Sequence, residues 1–95
     1  MNVKTTQTFN DWLENLKDKQ GRSIILKHID RIKLGNLGKV KSIHENVFEK
    51  KIYYGPGYRL YFINKNNLLI IILCGGDKST QRQDIEKAIN MAGEL

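Results

Sequence analysis

The chain has 95 residues, 40% of them hydrophobic and 27% charged, and its 16 Lys and Arg against 10 Asp and Glu give a formal net charge of +6. A chain of this length buries roughly two thirds of its extended surface, which supports one modest core and excludes a second domain or a deeply enclosed site. The composition excludes a disordered tail, and the pI near 9.6 points to a polyanionic partner: nucleic acid, a ribosomal surface or an acidic protein segment.

The single cysteine, Cys74, excludes an intramolecular disulfide and reads as a small buried hydrophobe at the end of the run LLIIILC. No signal segment opens the chain, and that run falls far short of the roughly 20 apolar residues a membrane helix needs. A cytoplasmic protein with no membrane partner is expected.

In chain order, NVKTTQ after the initiator reads as a short first strand or a frayed arm. Thr8, with Asp11 three residues on, reads as a helix start, and Phe9, Trp12, Leu13 and Leu16 supply an apolar stripe ending near Lys17. Asp18 caps a second helix with Ile25, Ile29 and Ile32 on one face and Lys27, Asp30, Arg31 and Lys33 outward, stopped by Gly35-Asn36. The short junction predicts an antiparallel helical hairpin.

Four short runs follow, at 39–43, 47–54, 58–64 and 67–73, and their turn-rich links predict an antiparallel meander. The last is apolar at almost every position, as in a central strand covered on both faces. Gly55-Pro56-Gly57 predicts a type II turn with Pro56 at its first central position. Gly75-Gly76 reads as a strand breaker, Asp77 or Ser79 as a cap, and Ile85, Ala88, Ile89 and Ala92 as the face of a third helix. The fold class is α+β in a single domain over 1–95: two N-terminal helices packed on a curled, mainly antiparallel sheet, plus a C-terminal helix.

Four pieces carry a family resemblance: FNDWLENLKD at 9–18, IDRIKLGNLGKVK at 29–41, YYGPGYRLYF at 53–62 and CGGDKSTQRQDIEKA at 74–88. In this order and spacing they resemble the phage-derived, HigB-like "addiction module killer protein" group of the RelE/ParE toxin superfamily. The resemblance implies a RelE-like fold and a toxin neutralised by a cognate antitoxin of helix-turn-helix, HigA-like type. For the RelE and HigB branches it implies metal-independent, ribosome-dependent endonucleolytic cleavage of mRNA, without a cofactor. The ParE branch has the same fold and instead inhibits DNA gyrase, and a third reading is an inactive relic that only binds its antitoxin.

Strand alternation puts Phe48, Lys50 and Ile52 on one face and Glu49 and Lys51 on the other, while Leu60 and Phe62 oppose Arg59 and Tyr61. With the apolar sets under the helices, Glu49, Lys51, Arg59 and Tyr61 share the open side. Cleaving RNA without metal requires activation of the 2′-hydroxyl, compensation of charge on the phosphate and a proton for the leaving 5′-oxygen. Arg59 suits the phosphate through its planar fork, and the RelE-type pattern places Lys78 as a second phosphate contact and Lys51 as charge stabiliser or acid/base group. Glu49 is a further base candidate.

The group usually has arginine where this chain has Lys51. RelE-type enzymes often carry a C-terminal tyrosine, and none follows Tyr61; Asp84 or Gln81, at the start of the last helix, is the substitute. Tyr61, Lys41, Lys50, Arg82 and His44 are the candidate RNA contacts.

Plainer readings stand beside these. Lys50 and Lys51 suit edge-strand charges, Arg59 a salt bridge to Glu49, and His44 an exposed turn. GGDKS resembles a phosphate loop but lacks the Walker spacing. His28 and His44 are too far apart in sequence to indicate a metal site. Trp12 belongs to the core stripe, and Tyr53, Tyr54 and Tyr58 divide between packing and stacking on bases.

Overall fold

The computed structural model describes residues 1–95. Its elements are β1 (Asn2–Thr5), α1 (Gln7–Glu14), α2 (Lys19–Lys33), β2 (Lys41–His44), β3 (Val47–Ile52), β4 (Tyr58–Lys65), β5 (Leu69–Gly76) and α3 (Gln81–Gly93), with a 3-10 turn at Lys78–Thr80 leading into α3. They form one five-stranded sheet in the order β1-β5-β4-β3-β2. The last four strands pair antiparallel as a meander. The two first helices are therefore not both ahead of the sheet: β1 opens the chain and pairs in parallel with β5. That pairing requires a long crossover, and α1, α2 and the meander itself supply it.

Local chemistry fixes the boundaries. Thr6, and not Thr8, caps α1: its Oγ1 accepts from the Phe9 amide at 3.1 Å and its amide continues the β1 ladder to Ile72. Asp18 caps α2, accepting from the Gly21 amide at 2.9 Å. The β4–β5 link is a tight hairpin in which Asn66 and Asn67 both have positive φ, 57° and 58°, as a type I′ turn demands.

Phe9 from α1 and Ile25, Ile29 and Ile32 from α2 bury against Ile52, Tyr58, Leu60, Phe62, Ile70 and Ile72 on one face of the sheet. The opposite face is not open. Ala88 of α3 packs there on Val47, Tyr61, Ile63, Leu73 and Cys74. Both faces of β5 are thus covered, as its apolar run predicted. Cys74 is buried, and desolvation pushes its thiol up to about 12, the behaviour of a packed hydrophobe.

A bulge in β5 permits this two-sided use: Tyr61 faces Cys74 and Phe62 faces Ile72, leaving Leu73 as the additional residue. The two glycines continue the strand and do not break it. A Cβ on Gly75 would lie 2.5 Å from the Trp12 ring, and one on Gly76 would collide with the Asp84 carboxylate from the other face. Gly in a strand marks close approach here, on both sides in succession.

Tyr58 ties the sheet to α2, its hydroxyl donating to Asp18 at 2.8 Å. Burial, with the Asp18 hydrogen bond, pushes this hydroxyl up to about 12 from 10.0. Because the folded state holds the proton more tightly, the stability this contributes is complete below the unfolded value and is lost as pH rises toward 12. Tyr58→Phe is expected to lower the thermal midpoint by about the worth of one hydrogen bond and to flatten the alkaline loss between those values, both read by melting at stepped pH.

Candidate functional site

The Gly-Pro-Gly stretch closes β3 onto β4 one residue earlier than the sequence predicts. The Gly57 amide donates to Tyr54 O at 3.0 Å, so Gly55 and Pro56 are the central residues. Gly55 has φ 53°, and proline's ring holds φ negative at the next position, a combination that defines type II′ and not type II. Gly57 follows at φ 77°. Lys78 is drawn to this turn by its own amide, which donates to Pro56 O at 3.3 Å.

Three cations converge on Gly57. A Cβ built there would stand 3.2 Å from Arg59 Nη1, 3.9 Å from Lys51 Cε and 4.0 Å from Lys78 Cβ. Lys51 and Arg59 are direct cross-strand partners in the β3–β4 ladder. Together with Tyr53, Tyr54 and the turn they line a shallow cleft of about 400 Å³ that contains no carboxylate. The residue without a side chain leaves room for an anion among the three.

Arg59 is held from behind. It is 4% exposed, and its Nη1 donates to Gly57 O at 2.6 Å. Its Nε lies 3.8 Å from Glu49 Oε2 and makes no hydrogen bond. That carboxylate oxygen accepts from Tyr61 OH and from Gln81 Nε2, each at 3.0 Å. Burial and the Glu49 hydrogen bond raise the Tyr61 hydroxyl well above its ordinary value, so it stays a donor. Glu49 therefore balances the arginine charge from the buried Nε side, while one Nη1 hydrogen bond goes to the protein and the other Nη donors are the ones left for a ligand.

The sequence-predicted site residues divide. Lys51, Arg59 and Lys78 come together. Glu49 and Tyr61, expected on an open sheet face, are 6% and 0% exposed because α3 covers that face, so Tyr61 is not placed to touch RNA. Lys50 points to the helical face, 6% exposed, with Nζ donating to Leu37 O at 2.9 Å. Burial, with Arg31 nearby, lowers its pKa, and it is no more available to RNA than Tyr61.

Asp84 is also buried; it accepts from Thr80 Oγ1 at 2.6 Å and does not line the cleft. His44 is exposed at the end of β2 and Arg82 on α3, both away from the cleft. Lys41 is exposed on the edge strand β2 and lines a second, smaller cleft together with Lys51. Sequence reasoning leaves Tyr53 and Tyr54 divided between packing and stacking, and it misses Gln81 as a donor to Glu49. Proximity to the Gly-Pro-Gly turn is the available signal for the tyrosines.

The fold that carries this cleft is RelE-like. The chain matches 80% of its length to 94% of a chain in the crystal structure of the intact E. coli RelBE toxin-antitoxin complex, with a TM-score of 0.56 at 11% identity. In sequence it is 47% identical over 93 residues to an uncharacterized protein of Haemophilus influenzae, covering 98% of this chain and 94% of that one. The chain belongs to the family of that Haemophilus protein. No protein-family model matches the sequence. No helix is long and apolar enough to cross a membrane.

Proposed function

We propose that the chain is the toxin of a type II toxin–antitoxin pair, of the HigB-like branch, and that it cleaves mRNA on the ribosome. The observation that carries this reading is the ring of Lys51, Arg59 and Lys78 around Gly57, three cations lining a cleft that contains no carboxylate, with Glu49 behind Arg59 on the protein side. The RelE-like fold, whose solved neighbour is a toxin–antitoxin complex, supports the toxin role.

In this reading Arg59 and Lys78 hold the scissile phosphate. Attack by the adjacent ribose 2′-hydroxyl, whose proton passes to solvent water, forms a new P–O bond as the P–O5′ bond breaks, giving a cyclic phosphate and a 5′-oxygen that takes up a proton to become a free hydroxyl. Arg59 and Lys78 neutralise the charge that grows on the non-bridging oxygens, and Lys51 is the group positioned to stabilise or protonate the leaving 5′-oxygen. Glu49, Tyr61 and Gln81 fix the arginine, and Asp84 fixes the start of α3. The partners are the ribosome with its mRNA and a helix-turn-helix, HigA-like antitoxin, in the cytoplasm.

Mapping transcript 5′ ends after brief induction tests the reading. New ends confined to translated regions and in frame with codons are expected. Unchanged transcripts together with inhibition of purified gyrase in a supercoiling assay would replace it with a ParE-like activity, and harmless expression would replace it with an antitoxin-binding relic.

A further inference from the structure

Tyr53 stands apart from the other aromatic residues of the site. It is 77% exposed, while Tyr54, the other aromatic residue lining the cleft, is half-buried against the core, and Tyr58 and Tyr61 nearby are 3% and 0% exposed. The Lys51 ammonium lies 4.7 Å from its ring centroid, on one face. At that exposure the opposite face is open.

Tyr53 is also the wall shared by two clefts. One is the cleft around Gly57; the other, about 210 Å³, is lined by Lys39, Val40, Lys41, Glu49, Lys51 and Tyr53. Glu49 is the one anion in the second cleft, and its Oε2 is engaged by Tyr61 and Gln81. Lys39 and Lys41 are exposed there. An exposed ring with cations on both sides matches the chemistry of an unpaired nucleic-acid strand, whose phosphates alternate with flat faces able to stack.

We propose that Tyr53 is a base-stacking platform between two phosphate subsites, so that single-stranded RNA passes from the Gly57 cleft over Tyr53 to Lys39 and Lys41 at the β2 edge. This deepens, and rests on, the reading of the Gly57 cleft as the site of the scissile phosphate. The strand then leaves toward the edge of the sheet and not along α3. A duplex is excluded from the platform because its bases are already stacked within the helix.

The test uses the full chain and a short, unstructured 2′-O-methyl oligoribonucleotide, which cannot be cut through its 2′-oxygens, with affinity read by fluorescence anisotropy. A matching oligonucleotide with a single abasic position is measured in parallel. Tyr53→Ala and Tyr53→Leu are expected to weaken binding by about tenfold, and Tyr53→Phe to bind as the unsubstituted chain does. The abasic position should weaken the unsubstituted chain by a similar factor and leave Tyr53→Ala unaffected. Replacing Lys39 and Lys41 with Ala should lower the slope of log affinity against log salt by about 0.7 for each phosphate these lysines neutralise, while Lys65→Ala leaves the slope unchanged.

Equal affinity of Tyr53→Ala and the unsubstituted chain, with Arg59→Ala still impaired, overturns the platform and leaves the Gly57 cleft standing. A weaker Tyr53→Ala with no abasic penalty overturns stacking. No binding by the unsubstituted chain overturns the whole track, whereas the cutting reaction is judged separately from the 5′ ends mapped in cells.

Discussion

Growth arrest on induction is expected to disappear in both Arg59→Ala and Lys51→Ala, but at different structural cost. Arg59 sits 4% exposed against Glu49, 6% exposed. Truncating it leaves a buried carboxylate whose remaining partners are two neutral donors, Tyr61 and Gln81. Breaking a buried pair in this way typically costs about 3 kcal/mol of stability. Removing a preorganised donor at the phosphate costs in addition on the order of 10²-fold in rate.

Lys51 is the cleaner probe. It is half-buried, touches Tyr53 through a cation–π contact and makes no ion pair. Lys51→Ala should therefore unfold within about 0.5 kcal/mol of the unsubstituted chain while losing the arrest. The measurements are growth after induction, transcript 5′ ends and a denaturant titration of each variant. Full toxicity in both variants would falsify the assignment of the site.

The second large effect is on stability alone. Gly76→Ala is expected to destabilise the chain by about 3 kcal/mol, at the upper end for overpacking, because its methyl group would occupy the space of the Asp84 carboxylate. Displacing Asp84 also removes the hydrogen bond from Thr80 that organises the start of α3. Gly75→Ala should cost a similar amount by driving Trp12 off the opposite face, where its ring would be 2.5 Å away. Gly93, whose Cβ would meet nothing within 4 Å, is the control, and Gly93→Ala should be neutral or slightly stabilising. Thermal melts of the three variants decide the matter; near-wild-type midpoints for Gly75→Ala and Gly76→Ala would mean the two helices do not press on β5 as described.

Much of the fold is legible in the sequence because it is local. The Asp18 cap, the isoleucine stripe of α2 and the four strand runs depend on neighbours a few residues away. Which element covers the second face of the sheet is not local information. Alternation sorts Glu49, Arg59 and Tyr61 to one side correctly but cannot say that α3, with only small or half-buried apolar residues, closes over them.

Lys50 escapes the sequence for a different reason. Alternation places it with Phe48 and Ile52 on the helical face, yet its charge invites a surface role. The carbonyl of Leu37, which accepts from its ammonium, lies in a loop whose path the sequence does not specify. Gly75-Gly76 reads as punctuation because two glycines commonly end a strand. What they do in this chain depends on Trp12 and Asp84, which lie outside the strand.

The bulge at Leu73 sets the phase of everything beyond it. Under strict alternation Cys74 and Gly76 would turn to the side of α1 and α2, and Gly75 would turn to α3. Arg59, which pairs with Gly76, would then have a neighbour of the opposite sidedness. Deleting either Leu73 or Cys74, which face the same side at the bulge, would accordingly remove one core side chain yet leave the downstream residues facing as they do now, whereas deleting Gly75 would turn Gly76 to the side of α1 and exchange the two sides of the strand beside the arginine.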